Sequence, residues 1–171
     1  MDLKGFIRDI PDFPKPGIVF KDITPLWRNP QAHAHTIRQI AAFGRDVGAD
    51  LVAGIESRGF IMAGAVAVGL GTGFVPIRKH GKLPWEKVGV SYALEYGQDV
   101  IEMHKDAIGP GQRVLLVDDL LATGGTAAAG CELIRKMGGR VAGVATVVEL
   151  AFLRGRERLG DVPQLHLIRI E

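Results

Sequence analysis

The run RVLLV, Arg113 to Val117, constrains the fold more than any other segment of the chain. Its four branched apolar residues are too few for a helix and show no polar alternation, so they read as a strand buried on both faces. Such strands belong to parallel sheets covered by helices. The next stretch agrees: a glycine-rich loop precedes a helix running to Met137, with Ala127, Cys131 and Ile134 along one face and Gly138-Gly139 ending it. VAGVATVV (Val141 to Val148) is then a second apolar strand. Strand, helix, strand at this spacing is a parallel pair joined by a crossover. The same alternation comes earlier, as LVAGI (Leu51 to Ile55), a loop at ESRG, a helix from about Phe60 and the strand FVPI (Phe74 to Ile77). QLHLIRI near the end is a further strand. The fold class expected is α/β: an open, mostly parallel twisted sheet flanked by helices on both faces.

Composition sets the outer limits. A chain of 171 residues, 47% hydrophobic and 23% charged, suits one domain spanning 1–171 with a real core. The formal net charge of +2 is too small for general nucleic-acid binding, so any anion site must be local. A single cysteine allows no internal disulfide, which points to the cytoplasm, and the start MDLKGFIRDIPDF has no basic segment followed by an apolar run. Gly59 to Ile77 carries no charge over 19 residues, but its five glycines and Pro76 favour a helix and a strand over a membrane span.

The first 30 residues, rich in Pro and Asp, read as an arm, and Asn29-Pro30 as the cap and first turn of a helix. Ile37, Ile40, Ala41, Gly44 and Val47 continue that helix to Gly48. Residues 78–104 hold a basic run, Arg78, Lys79, His80 and Lys82, then an antiparallel ribbon built from VSYALEY and DVIEMH. His33 and His35 are two apart on a helix and point to different sides, which argues against a metal pair.

Ligands of open α/β sheets bind beyond the carboxyl ends of the strands. Beyond Val117 the chain reads Asp118, Asp119, Leu120, Leu121, Ala122, Thr123, Gly124, Gly125, Thr126. Thr123 to Thr126 offers small residues, two hydroxyls and free backbone amides at a helix start, which is a cradle for a phosphate. Asp118 and Asp119 would repel a phosphate, so they face a sugar diol or a metal ion. A ligand with a phosphate at one end and a ribose in the middle suits both halves. The segment is neither a dinucleotide fingerprint, since G-x-G-x-x-G is missing, nor a P-loop, since Gly81-Lys82 precedes Leu83.

VLLVDDLLATGGT resembles the phosphoribosyl pyrophosphate motif of type I phosphoribosyltransferases, and Ala122 is similar to the adenine-specific branch. PDFPKPGIVFKDITPL (Pro11 to Leu26), ESRGF, RKHGKLP, SYALEYG and LRGRERL match that branch in the same order. The resemblance covers nearly the whole chain. It implies the type I fold, with a small N-terminal hood over residues 1–30 and a flexible β-ribbon lid. It also implies transfer of the phosphoribosyl group of phosphoribosyl pyrophosphate to adenine, giving AMP and pyrophosphate, and a homodimer.

The resemblance assigns roles as well. Val19, Phe20 and Lys21 would bind the base, with backbone at Lys21 reading its amino edge and Leu120 and Ala122 opposite. Ser57, Arg58, Gly59, Arg78, Lys79 and Lys82 would serve pyrophosphate, and Thr123, Gly124, Gly125 and Thr126 the phosphate. Arg58, Glu95, Asp118 and Asp119 would be catalytic. Mg²⁺ would be the cofactor, held through substrate and water, with Asp118 and Asp119 the available carboxylates. Two rival readings are a xanthine or 6-oxopurine transferase and a non-enzymatic sensor of phosphoribosyl pyrophosphate. Ala122 and the Lys21 segment oppose the first, and the lack of a helix-turn-helix signal opposes the second.

Overall fold

The computed structural model describes residues 1–93 and 98–171. A two-stranded antiparallel ribbon, β1 (Arg8–Pro11) and β2 (Val19–Asp22), precedes the short helix α1 (Thr24–Arg28). Helix α2 (Pro30–Asp46) starts as its sequence dictates: the Asn29 side chain accepts from Gln31 N and Ala32 N, and Pro30 takes the first turn.

Seven strands then form one sheet in the order β5-β6-β4-β3-β7-β8-β9. They are β3 (Leu51–Ile55), β4 (Gly73–Lys79), β5 (Lys87–Ala93), β6 (Gln98–His104), β7 (Arg113–Leu121), β8 (Arg140–Leu150) and β9 (Gln164–Ile170). Strands β3, β4, β7, β8 and β9 are parallel, as expected. The antiparallel β5–β6 ribbon adds to the edge of this sheet, pairing with β4 at Arg78–Glu102 and Lys79–Ile101.

Period-two alternation builds a core on each face. Leu51, Ala53, Ile55, Val114 and Leu116 point toward helix α4 (Gly125–Lys136), where Cys131, Leu133 and Ile134 meet them. Val52, Leu115 and Val117 point the other way, into α2 and helix α3 (Arg58–Leu70). Each fully buried aliphatic side chain here stabilises the fold by roughly 1.5–3 kcal/mol relative to exposure. Cys131 lies in the core as its helical position implied, and burial pushes its thiol up to about 11.

Two boundaries differ from the sequence reading. Helix α3 begins at Arg58 instead of about Phe60, so half of ESRG is helical. Strand β7 does not stop at Val117. Its register with β3 ends at Gly54–Val117, but pairing with β8 carries it to Leu121–Glu149. The Asp118–Leu121 overhang thus borders the end of β3. The chain leaves β3 toward β4 on one side and meets β7 on the other, which makes this the topological switch point of the sheet.

Candidate active site

A cleft of about 330 Å³ opens at that switch point. Its floor is Asp118 to Leu121, and one wall is the Glu56–Arg58 turn, which contains a cis Glu56–Ser57 peptide. The other wall is Ala122 to Thr126 with the start of α4, and Lys79, Tyr92 and Asp99 close the side toward the ribbon.

Among the described residues no side chain caps helix α4, its first turn carries no acid, and its N-cap is Gly124 at φ 80°. Its first amides therefore keep free hydrogens and the positive end of the helix dipole, the requirements for holding an anion. Gly124 is needed twice over, for its left-handed φ and because a Cβ there would strike the carbonyl oxygen of Gly155. The 3-10 turn Gly155–Leu159 thus braces the loop from behind.

The acidic pair has a different environment. The Asp118 Oδ1 accepts from Asp119 N at 2.9 Å. Gly59 lets α3 approach this strand: a Cβ there would lie 2.8 Å from Asp118 Oδ1 and 3.1 Å from Val117 O. Burial, and then the charge of Asp119, hold the Asp118 carboxyl well above the ordinary carboxylate range. Burial raises Asp119 as well, with Arg58 acting in the opposite direction. Arg58 Nε lies 3.0 Å from Asp119 Oδ2, yet that oxygen is buried with no hydrogen-bond partner among the described residues. The contact is ionic and makes no hydrogen bond. The guanidinium also lies 5.0 Å from the centroid of the Phe20 ring, a cation–π contact tying the β1–β2 ribbon to the site.

Glu56 organises the basic run. It accepts from Arg78 Nε and Nη2 at 3.2 and 3.3 Å and from Lys79 N at 3.0 Å. The Arg78 hydrogen bond, ahead of the others, holds the Glu56 carboxyl below its ordinary range. Arg78 is thereby turned to Glu56 and to the carbonyl of Lys82. Lys79 does line the cleft and lies 3.6 Å from Asp99. Lys82 is exposed and outside the lining.

Ser57, Arg58, Asp118, Asp119, Leu120, Ala122, Thr123, Gly124, Gly125 and Thr126 meet in the cleft. Val19, Phe20 and Lys21 lie on β2 outside its lining; Val19 is exposed and Lys21 Nζ bonds Asp9 Oδ1 at 2.7 Å. Glu95 lies outside the described residues. Tyr92 and Asp99 were not singled out in the sequence, although they face each other in register and their side chains meet at 3.3 Å. Burial raises the Tyr92 hydroxyl above its ordinary value.

Among the described residues no three His, Cys, Asp or Glu side chains converge to hold a metal by themselves. Two adjacent carboxylates, one facing Arg58, fit a divalent cation carried in on a polyphosphate and sugar better than a cage made of protein alone.

The Phosphoribosyl transferase domain family matches residues 29–162. The adenine phosphoribosyltransferase of Brevibacillus brevis is 51% identical over 169 residues, 99% of each chain. The crystal structure of adenine phosphoribosyltransferase from Thermoanaerobacter pseudethanolicus superposes with a TM-score of 0.95 at 48% identity, covering 98% of each chain. That of the Giardia lamblia enzyme complexed with 9-deazaadenine gives 0.93 at 40% identity, over 99% of this chain and 97% of the other.

Proposed function

The chain belongs to the phosphoribosyltransferase family, in its adenine phosphoribosyltransferase branch, and we propose that it transfers the phosphoribosyl group of phosphoribosyl pyrophosphate to adenine, forming AMP and pyrophosphate. The observation that carries this reading is the meeting, in one cleft, of an uncapped helix start with a buried acidic pair. One suits a sugar phosphate's anionic end and the other its hydroxyls. The Brevibacillus brevis relative matches along 99% of its length, and the Giardia relative binds 9-deazaadenine.

In this reading the first turn of α4, with Thr123 and Thr126, holds the 5′-phosphate. Asp118 and Asp119 accept from the ribose hydroxyls. Ser57, Arg58, Gly59 and Lys79 face the pyrophosphate, while Arg78 and Lys82 shape the turn beside it. The hood, Val19 to Lys21, covers the base with Leu120 and Ala122 beneath. The 78–104 segment serves as the lid. Hood, lid and core work as one domain.

The reaction breaks the bond from the anomeric carbon to pyrophosphate oxygen and forms one to adenine N9 on the opposite face, inverting the centre. The sugar becomes cationic in between. Carboxylates set in a low dielectric stabilise that charge without reorganising at the moment of reaction. The resemblance gives Glu95 the role of taking the N9 proton or offsetting the sugar's charge. Asp118 and Asp119 are the carboxylates available to a Mg²⁺ brought in with the substrate, which would supply positive charge against that developing on the leaving group. Lid closure excludes the water that would hydrolyse the substrate.

The setting proposed is cytoplasmic, and the assembly a homodimer. Ile61 and Val68, seven residues apart on α3, are 46% and 83% exposed, an apolar face suited to self-association. No described helix is long and apolar enough to cross a membrane. The reverse reaction tests the base assignment: pyrophosphate should split AMP to free adenine and leave IMP and GMP intact. Cleavage of IMP or GMP with AMP untouched would overturn it in favour of a 6-oxopurine enzyme.

A further inference from the structure

We propose that Arg158 is an additional ligand of the substrate's 5′-phosphate, held beside the start of α4. The inference rests on the proposed reading of that cradle. Arg158 stands on the 3-10 turn Gly155–Leu159, and its Nη1 lies 3.6 Å from where a Cβ would sit on Gly125, the first residue of α4. The guanidinium is therefore beside the uncapped first turn of that helix.

The turn that carries it is fixed. Gly155 packs against the Ala122 carbonyl oxygen and Gly124, so closely that neither glycine tolerates a Cβ. Arg156 Nε donates to Glu149 Oε1 at 2.8 Å, with Glu149 buried at the end of β8. Leu159 is buried behind it. These anchors leave one long side chain free to reach the cradle.

Its neighbours already have partners. Arg154 pairs with Glu157 at 2.7 Å and Arg156 with Glu149. Arg158 makes no hydrogen bond or ion pair with any described residue. A bare cation beside the positive end of a helix is unfavourable by itself, because like charges face each other. An anion between them reverses the sign, and a guanidinium offers paired N–H donors to phosphate oxygens. Ala93 O and Tyr92 lie 3.5 and 3.7 Å from the same point, so the end of β5 also borders this turn.

The test separates the two ends of the substrate. Affinities of wild type, Arg158→Ala and Arg158→Lys for ribose 5-phosphate, AMP and pyrophosphate are measured by titration calorimetry, beside KM for phosphoribosyl pyrophosphate and for adenine. Arg135→Ala, at the far end of α4 and exposed, controls for lost net charge. The expected result is a loss of about tenfold, worth about 1.4 kcal/mol, for ribose 5-phosphate and AMP alike. Pyrophosphate affinity and the KM for adenine stay constant, and Arg158→Lys recovers part of the loss. Ribose 5-phosphate binding within twofold of wild type in Arg158→Ala overturns the proposal, as does an equal loss for pyrophosphate. Lack of ribose 5-phosphate binding by the wild type overturns it too, together with the cradle. A tenfold ribose 5-phosphate loss in a protein that forms no AMP upholds the Arg158 assignment and removes only the reading of the reaction.

Discussion

Arg58 Nε faces Asp119 Oδ2 at 3.0 Å in an ion pair that leaves the buried oxygen without a hydrogen bond from any described residue. The pair joins the start of α3 to the floor of the cleft, which both residues line. Arg58→Ala strands a buried carboxylate. Because the Arg58 side chain is 35% exposed, the expected loss at pH 7 is about 1–2 kcal/mol, below that of a fully buried pair. The sign follows from Asp119, whose carboxyl is already raised and goes higher without Arg58. The loss is full well above the ordinary Asp range and vanishes below it, where Asp119 is protonated folded or unfolded. Melts at pH 7 and near pH 3 check this. The kcat/KM should fall by roughly 100-fold.

Asp118 gives the opposite stability effect. Its folded carboxyl is raised by burial and by Asp119, so its ionised form opposes folding. Stability from this group is highest at low pH and falls as pH rises from the ordinary Asp value through the raised one. Asp118→Asn removes the charge and keeps an acceptor for Asp119 N. At pH 7 the variant should melt roughly 2–4 °C higher, the shift about 1 kcal/mol gives a chain of this size, while losing most activity. The gain should disappear near pH 3. An unchanged melting curve at pH 7 would contradict the burial argument.

Gly59→Ala tests the close approach of α3 to β7. The added methyl would lie 2.8 Å from Asp118 Oδ1, so the acidic pair must move. The expected outcome is a loss of about 100-fold in kcat/KM, as a shift of about 1 Å at a reacting centre produces. The circular dichroism spectrum should be retained. Activity within twofold of wild type would show that the carboxylate position is not critical.

Glu102 links the ribbon to the basic turn. Its buried carboxylate accepts from Gly81 N at 3.0 Å and meets His80 Nδ1 at 2.7 Å. Glu102→Ala leaves the Gly81 amide unsatisfied and frees the turn that carries Lys79 and Lys82. We expect a destabilisation of about 1–3 kcal/mol. KM for phosphoribosyl pyrophosphate should rise several-fold with little change in KM for adenine, and Glu102→Gln should recover part of both effects. Steady-state kinetics with each substrate varied in turn supply the check.

Local patterns made the frame readable. RVLLV and LVAGI announced buried parallel strands, Asn29-Pro30 a helix start, and the glycines of Thr123 to Thr126 the loop that opens α4, because each depends on adjacent residues alone. What was missed depends on partners distant in the chain. Strand β7 runs on to Leu121 because β8 continues beside it, which no propensity of Asp118-Asp119 reveals. Helix α3 starts two residues early, with no side-chain cap at Ser57 to mark it. Glu102 looks like an ordinary polar residue of a ribbon until β4 brings His80 and Gly81 to it. Arg158 lies in LRGRERL, which by itself gives it no role, and the packing of Gly155 on Ala122 and Gly124 places it beside α4.

The most direct test of the central claim is AMP formation from phosphoribosyl pyrophosphate and radiolabelled adenine with Mg²⁺, run beside hypoxanthine, guanine and xanthine. Turnover with adenine is expected, and none above background with the other three bases. Turnover with a 6-oxopurine but not adenine would contradict it, and so would tight binding of phosphoribosyl pyrophosphate with no product from any base.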